Sequence, residues 1–231
     1  MRSAAIAGRQ TVPEAAPATT EEQIVRAAVR LFAERGFHAT GIRQLAEQAG
    51  INSSTLYHYM GTKEDLLFRI VQDSSKRLIE AARQLTAREL DPPAAICGLV
   101  QIHVWSHATY SAETAVVDNE LRALDKPRRE AAVRLRDRYE AFWSKTVEAG
   151  CARGDFRVPD RRIARLGILQ MCSGVAQWYS PSGKLSLRDL VAAHAQMVLG
   201  ALGASRDRDQ VRTLLLEADA QPIADRVWSQ P

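Results

Sequence analysis

Residues 40–63, TGIRQLAEQAGINSSTLYHYMGTK, constrain the fold more than any other stretch of the chain. Leu45, Ala46 and Ala49 make an apolar stripe at helical spacing. Thr40 stands just ahead of it as a candidate N-cap, its hydroxyl placed to accept a free backbone N–H. Gly50 follows, where a left-handed turn costs least. Asn52 is then the expected cap of a second helix, Ser53 to Tyr59. Gly61-Thr62 ends that helix, and Thr62 can cap the next. Two helices joined by a tight glycine turn are the plan of a helix-turn-helix reader of duplex DNA.

The second helix is too short to be stable on propensity and must be held by its neighbours. Leu56 and Met60 supply its apolar side, while Ser53, Ser54, Thr55, Tyr57, His58 and Tyr59 supply hydroxyl and ring donors. Such groups suit phosphate oxygens and base edges in the major groove. No Asp or Glu lies between Asn52 and Lys63 to repel a polyanion.

From Thr40 to Leu66 the block resembles the DNA-binding domain of the TetR family of transcriptional regulators. The shared pattern is T-x-x-x-x-[IL]-A-x-x-A-G-[IV]-x-x-x-T-[LF]-Y-x-[HY]-F-x-x-K-x-x-L, with Met60 where the family most often has Phe. The upstream run L-F-A-E-R-G-F is similar to the family's first helix. The resemblance implies DNA contacts at Thr40, Arg43, Ser53, Ser54, Thr55, Tyr57, His58, Tyr59 and Lys63. Arg43 faces outward by period and offers a guanidinium fork to base or phosphate. Tyr57 and His58 are expected on phosphates, and Lys63 at the start of the next helix is expected to face the backbone as well.

The chain has 231 residues, enough for a two-part protein, and 46% hydrophobic content supplies a sizeable core. A net charge of +4 permits a nucleic-acid partner without requiring one. Cys97, Cys151 and Cys172 are far apart with no C-x-x-C pair, which speaks against a disulfide framework or a zinc ribbon and fits a reducing cytoplasm. No apolar run reaches the length of a signal peptide or a membrane span. No nucleophile elbow, P-loop, dinucleotide glycine pattern or zinc-ligand cluster occurs, so neither an enzyme nor a cofactor or metal is expected.

The pattern beyond the reader is helical throughout, giving an all-α expectation: a three-helix helix-turn-helix domain and a larger helical ligand-binding and dimerisation domain. Residues 1–18 read as a disordered arm, 19–62 as the DNA-binding domain, 63–204 as the ligand and dimer domain, and 205–231 as a tail with one helix near Gln210–Ala218. Thr20 and Gln23 suggest a capping box at the first helix. A long helix from Lys63 joins the two domains.

Gly167 and Gly174 lie seven apart on one predicted helix and suggest close helix packing. With Leu190, His194, Met197 and Ala201 on a later helix, they are expected to build a four-helix dimer interface. A homodimer also answers the small contact area of one reader helix.

Residues 102–202, with NELRAL, G-x-x-x-G-D-F and GVAQWYSPSGKLSLRDLVAAHAQMVLGAL, resemble family members that control fatty-acid, sterol and related acyl-CoA catabolism. An acyl-CoA thioester is thus the expected small-molecule effector, with a drug or aromatic compound as the alternative. Some sterol-type members carry Trp and Arg where Ser173 and Leu169 stand here. His103 and His107, four apart on one helix face, read as a polar pocket wall rather than a metal pair, since no H-E-x-x-H pattern surrounds them. Trp105, Tyr139, Trp143, Met171 and Trp178 are expected to contribute apolar wall, and Glu120 a polar group.

Overall fold

A computed structural model describes residues 19–229. The arm expected at 1–18 lies outside the described residues. Every regular element described is helical. Helices α1 (Thr20–Arg35), α2 (Ile42–Gln48) and α3 (Ser53–Met60) form the reader unit, and α4 (Lys63–Thr86) leaves it as a shared strut. The second unit contains α5 (Pro92–Thr109), α6 (Ser111–Asn119), α7 (Lys126–Arg153), α8 (Arg161–Ser173) and the short α9 (Val175–Trp178). It is completed by α10 (Leu187–Ala201), α11 (Arg208–Ala218) and α12 (Gln221–Trp228).

Two apolar cores follow from this arrangement. The first gathers Ile24, Ala28, Leu31 and Phe32 of α1, Leu45 and Ala46 of α2, Leu56 and Met60 of α3, and Leu66, Leu67 and Ile70 of α4. It also takes in Val116, Leu124 and Ala132 from α6, α7 and their connection, so the reader rests directly on the second unit. The second core surrounds α5, which is buried along almost its whole length. A helix with no solvent face carries no amphipathic stripe, because every side meets a neighbour.

Local chemistry sets the helix ends. Thr19, not Thr20, caps α1, and it forms the capping box with Glu22, one residue earlier in both positions than the sequence suggests. Gly41 rather than Thr40 stands at the N-cap of α2, with the Gln44 side chain accepting its N–H at 3.0 Å. Asn52 caps α3 by accepting the Thr55 N–H at 2.8 Å. Gly50 and Gly61 take φ of +70° and +67° at the two reader turns, a backbone region that favours glycine. Thr62 and Asp65 close a reciprocal box at the start of α4.

The region after residue 204 departs from expectation. The helix expected near Gln210–Ala218 forms as α11, but the rest is no tail: α11 and α12 insert Val211, Ala218, Ile223 and Val227 into the second core. The ring of Trp228 meets those of Trp105 and Tyr110 at 5.3 and 6.2 Å, and the Arg77 guanidinium of α4 lies 5.9 Å from it. The single helix expected to carry both Gly167 and Gly174 is broken at Gly174 into α8 and α9.

Candidate nucleic-acid interface and effector cavity

The reader presents a clear division of faces. Leu56 and Met60 of α3 are buried, whereas Tyr57 and Tyr59 are 54% and 46% exposed. Ser54 and His58 are exposed beside them, and Ser53 and Thr55 are half-buried. The Ser54 hydroxyl donates to the Asn52 side chain at 2.6 Å, which orders the amino end of the helix. Arg43 is exposed on α2, with no ion pair to another described residue. A polar, hydroxyl-bearing surface with one free guanidinium is fitted to a phosphate backbone and base edges.

Two expected DNA contacts are corrected. Thr40 is only 1% exposed, and its hydroxyl donates to the carbonyls of Leu31 and Gly36 at 3.3 and 2.9 Å. It fastens the α1–α2 turn to α1. Lys63 turns inward: its ammonium donates to the carbonyls of Phe37 and Thr40, both at 2.8 Å, and sits 4.3 Å above the Phe37 ring. Partial burial lowers its pKa. Those backbone acceptors hold the ammonium beneath the reader in this structure and compete with phosphate for it.

A cavity of about 480 Å³ lies among α4 to α9. Its apolar wall includes Leu78, Val117, Leu135, Leu166 and Leu169. Its polar wall includes His103, His107, Thr114, Asp118, Arg136, Tyr139, Glu140, Gln170 and Ser173. His103 and His107 stack with ring centroids 4.0 Å apart. His103 spans two hydroxyls, with Nδ1 3.1 Å from Tyr139 and Nε2 3.0 Å from Ser173. Burial pushes the His103 pKa well below its ordinary value, so the ring is neutral.

His107 Nδ1 lies 2.8 Å from the His103 carbonyl, and its Nε2 lies 3.8 Å from Asp118 Oδ2. Burial lowers the His107 pKa and raises that of Asp118. Glu140, in the polar wall, is held by Arg165 at 2.7 Å. Burial also raises the pKa of Tyr139 and of the thiols of Cys97 and Cys172, the thiols to about 12, which leaves those thiols unreactive packing groups.

Of the expected pocket residues, His103, His107 and Tyr139 reach the cavity. Trp105, Glu120, Trp143, Met171 and Trp178 do not. Trp105 packs against Tyr110 and Trp228 on the opposite side of α5. Trp143 is fully buried behind His103 and Tyr139, and Met171 packs on the second core. Trp178 is 58% exposed, stacked over His194. Glu120 instead accepts the Phe37 N–H at 3.2 Å, so it ties the end of α6 to the α1–α2 turn. Asp118, two residues earlier, takes the polar position in the wall. The repeated spacing of Gln170, Ser173, Gly174 and Gln177 was a readable sign that one side of α8–α9 faces this space.

The expected dimer residues also divide. Leu190 and His194 are 1% and 4% exposed and point into their own core, with His194 Nδ1 2.9 Å from the Leu190 carbonyl. Gly174 ends α8 and lines the cavity. Gly167 faces open space, and Met197 and Ala201 are exposed on α10. Around them Ile163 and Leu166 are exposed at 69% and 43%. Gly200 completes the α10 strip.

A helix-turn-helix unit joined by one long helix to a cavity-bearing helical domain defines a ligand-binding transcriptional regulator. The chain belongs to the TetR family: residues 24–70 match the model of bacterial regulatory proteins of the tetR family, and residues 89–202 match the tetracyclin repressor-like C-terminal domain. It is similar to the HTH-type transcriptional repressor KstR2 of Mycolicibacterium smegmatis, 26% identical over 82% of this chain and 94% of that one. KstR2 of Rhodococcus jostii is 28% identical over 78% of this chain and 89% of its own length. The same fold occurs in the ketosteroid transcriptional regulator KstR2 of Mycobacterium tuberculosis, with a TM-score of 0.75, 24% identity, and coverage of 82% and 96% of the two chains. No described helix is long and apolar enough to cross a membrane.

Proposed function

We propose that this protein is an effector-responsive transcriptional repressor that binds a palindromic operator as a homodimer. The observation that carries this reading is the face of α3: its apolar residues are buried, and its hydroxyls and rings stand in solvent. Arg43, Ser53, Ser54, Thr55, Tyr57, His58 and Tyr59 are the operator-contacting set. The exposed strip of Ile163, Leu166, Gly167, Met197, Gly200 and Ala201 on α8 and α10 is the dimer face. Pairing through it sets two α3 helices against successive major grooves, roughly 34–36 Å apart.

Residues 19–62 form the reader and 63–204 the sensor, with α11 and α12 added to the sensor. The cavity holds the effector. Relatives that are KstR2 repressors, and the likeness of residues 102–202 to regulators of lipid breakdown, favour genes of fatty-acid, sterol or related acyl-CoA catabolism and an acyl thioester effector. The link runs through α6: Val117 and Asp118 line the cavity, while Val116 packs in the reader core and Glu120 holds the Phe37 N–H. A second tie joins Arg128 of α7 to Asp65 at the head of α4. An effector that shifts α6 and α4 favours a dimer whose reader helices no longer match the operator spacing.

Selection of duplexes from a random pool with the full-length chain tests the reading. It should enrich one inverted repeat, bound with two protomers per site and weakened steeply by salt. Recovery of no common sequence, or of a site bound by one protomer, would refute it.

A further inference from the structure

Hydrogen counting in the cavity wall points to the chemistry of the effector. Tyr139, Ser173 and neutral His103 together own three polar hydrogens, one each, and make two hydrogen bonds among themselves. If His103 carries its proton on Nδ1, it donates to Tyr139 and accepts from Ser173, and the Tyr139 O–H is unspent. If the proton is on Nε2, it donates to Ser173 and accepts from Tyr139, and the Ser173 O–H is unspent. Either tautomer leaves one hydroxyl hydrogen over, and both hydroxyl-bearing residues line the cavity.

A matching acceptor lies beside it. The His103 carbonyl accepts from His107 Nδ1–H, which leaves the lone pair of His107 Nε2 facing Asp118 Oδ2 at 3.8 Å. The gap is too long for a direct hydrogen bond. Two acceptors face each other there, and a donor placed between them satisfies both. The stacked rings of His103 and His107 keep the free donor and the acceptor pair close together. The two carboxylates of the wall, Asp118 and Glu140, are already matched by the guanidinium groups of Arg136 and Arg165, so no spare positive charge is left to offset the burial of a ligand carboxylate.

We infer that the His103–Tyr139–Ser173 triad and the His107–Asp118 pair form a subsite for a neutral oxygen, a ketone or hydroxyl, carried on an apolar body that rests against Leu78, Val117, Leu135 and Leu169. The inference rests on the effector role given to this cavity under the proposed function. An acyl chain without such an oxygen leaves the wall's donor and acceptor unpaired, a cost of the kind that separates a hydroxylated ligand from its bare analogue.

Four probes of one shape test this: 1-decalone, 1-decalol, decalin and decalin-1-carboxylate, titrated into the full-length dimer by calorimetry. The ketone and the alcohol should bind at least about tenfold more tightly than decalin, and the carboxylate more weakly than either. Ser173→Ala and Tyr139→Phe should each keep most of that preference, because the remaining hydroxyl is the free donor in one tautomer. In the double variant the unspent hydrogen passes to the His103 N–H, which also lines the cavity, so the triple variant Tyr139→Phe/Ser173→Ala/His103→Leu is the one that should bring the ketone to within about threefold of decalin while decalin affinity holds. Equal affinities in the unaltered protein, a tightest-binding carboxylate, absence of all binding, or a ketone preference that survives the triple change would each overturn the inference. Operator affinity measured without probe separates the two readings. Normal DNA binding with no probe discrimination removes the subsite alone, whereas loss of specific DNA binding in the unaltered protein removes the regulator.

Discussion

The reader and the cavity solve opposite problems with the same secondary structure. In the reader, residues close in the chain do nearly everything: Asn52 caps α3, Thr62 and Asp65 cap α4, and glycines make both turns. In the cavity, the working groups come from helices far apart in sequence. His103 meets Tyr139 and Ser173 across separations of 36 and 70 residues. The reader turns its polar groups outward, where water satisfies them until DNA replaces it. The cavity turns them inward, where each needs a protein or ligand partner. The first arrangement is read by charge and shape, the second by the count of donors and acceptors.

The largest effect expected from that contrast is on operator affinity. Replacing both Arg43 and Tyr57 by Ala should weaken operator binding by about 100-fold or more, from losses of about 1–3 kcal/mol per base or backbone contact. The dimer and the thermal midpoint should be unchanged, because both side chains are exposed. Wild-type affinity by fluorescence anisotropy would move the reading surface off α3.

The next effect belongs to the cavity and to pH. His103 is neutral in the fold and has a pKa well below its unfolded value. The unfolded chain therefore binds the extra proton first, and stability should fall as pH drops below about 6.5, by up to about 1.4 kcal/mol per pH unit. His107, lowered, acts in the same sense, while Asp118, raised, opposes it. His103→Gln should flatten the urea-denaturation profile between pH 6.5 and 5, and an unchanged slope would place the titration elsewhere.

Lys63→Met sharpens the reader side. Losing two bonds to the Phe37 and Thr40 carbonyls should lower stability by about 1–2 kcal/mol. Operator affinity should fall only in proportion to the disturbed α1–α2 turn, and its salt dependence should keep its slope. A shallower slope would mean that Lys63 does neutralise a phosphate.

The smallest effect is at Asp65. Its bonds to Thr62, and then the Arg128 guanidinium, hold its carboxyl down at about 2, below the ordinary 3.8. A depressed carboxylate contributes stability above its unfolded pKa and loses it as pH falls through the folded one. Asp65→Asn should therefore remove a small acid-dependent loss between pH 4 and 2, seen in thermal melts at low salt. The group is largely exposed, so solvent screening keeps the effect small.

What could be read from the chain divides along the same line. Caps, glycine turns and the apolar stripe of the reader are local patterns, and they placed α2, α3 and the head of α4 to within a residue or two. Thr40 and Lys63 misled because their partners are backbone carbonyls elsewhere in the fold, which no spacing reveals. In the second unit His103 and His107 were legible as a pair on one face, but not Asp118, Arg136 and Glu140, which come from helices with mixed polar faces. The aromatic residues were over-assigned to the pocket. Bulk alone does not say on which side of a fully buried helix such as α5 a ring falls. The helix expected near Gln210–Ala218 is present as α11, but its docking and the whole of α12 were missed, because both are short and the place of Trp228 is decided by Trp105 and Tyr110 far upstream.

The position of Glu120 has a practical meaning for anyone retuning this molecule as a biosensor. Asp118 and Glu120 are two residues apart at the same helix end, one facing the cavity and the other bonded to the turn that carries the reader. Mutational libraries aimed at 114–118 will alter compound choice and switching behaviour together. Libraries at Leu169 and Ser173, on α8, should change what is detected without touching the Glu120–Phe37 bond to the reader turn.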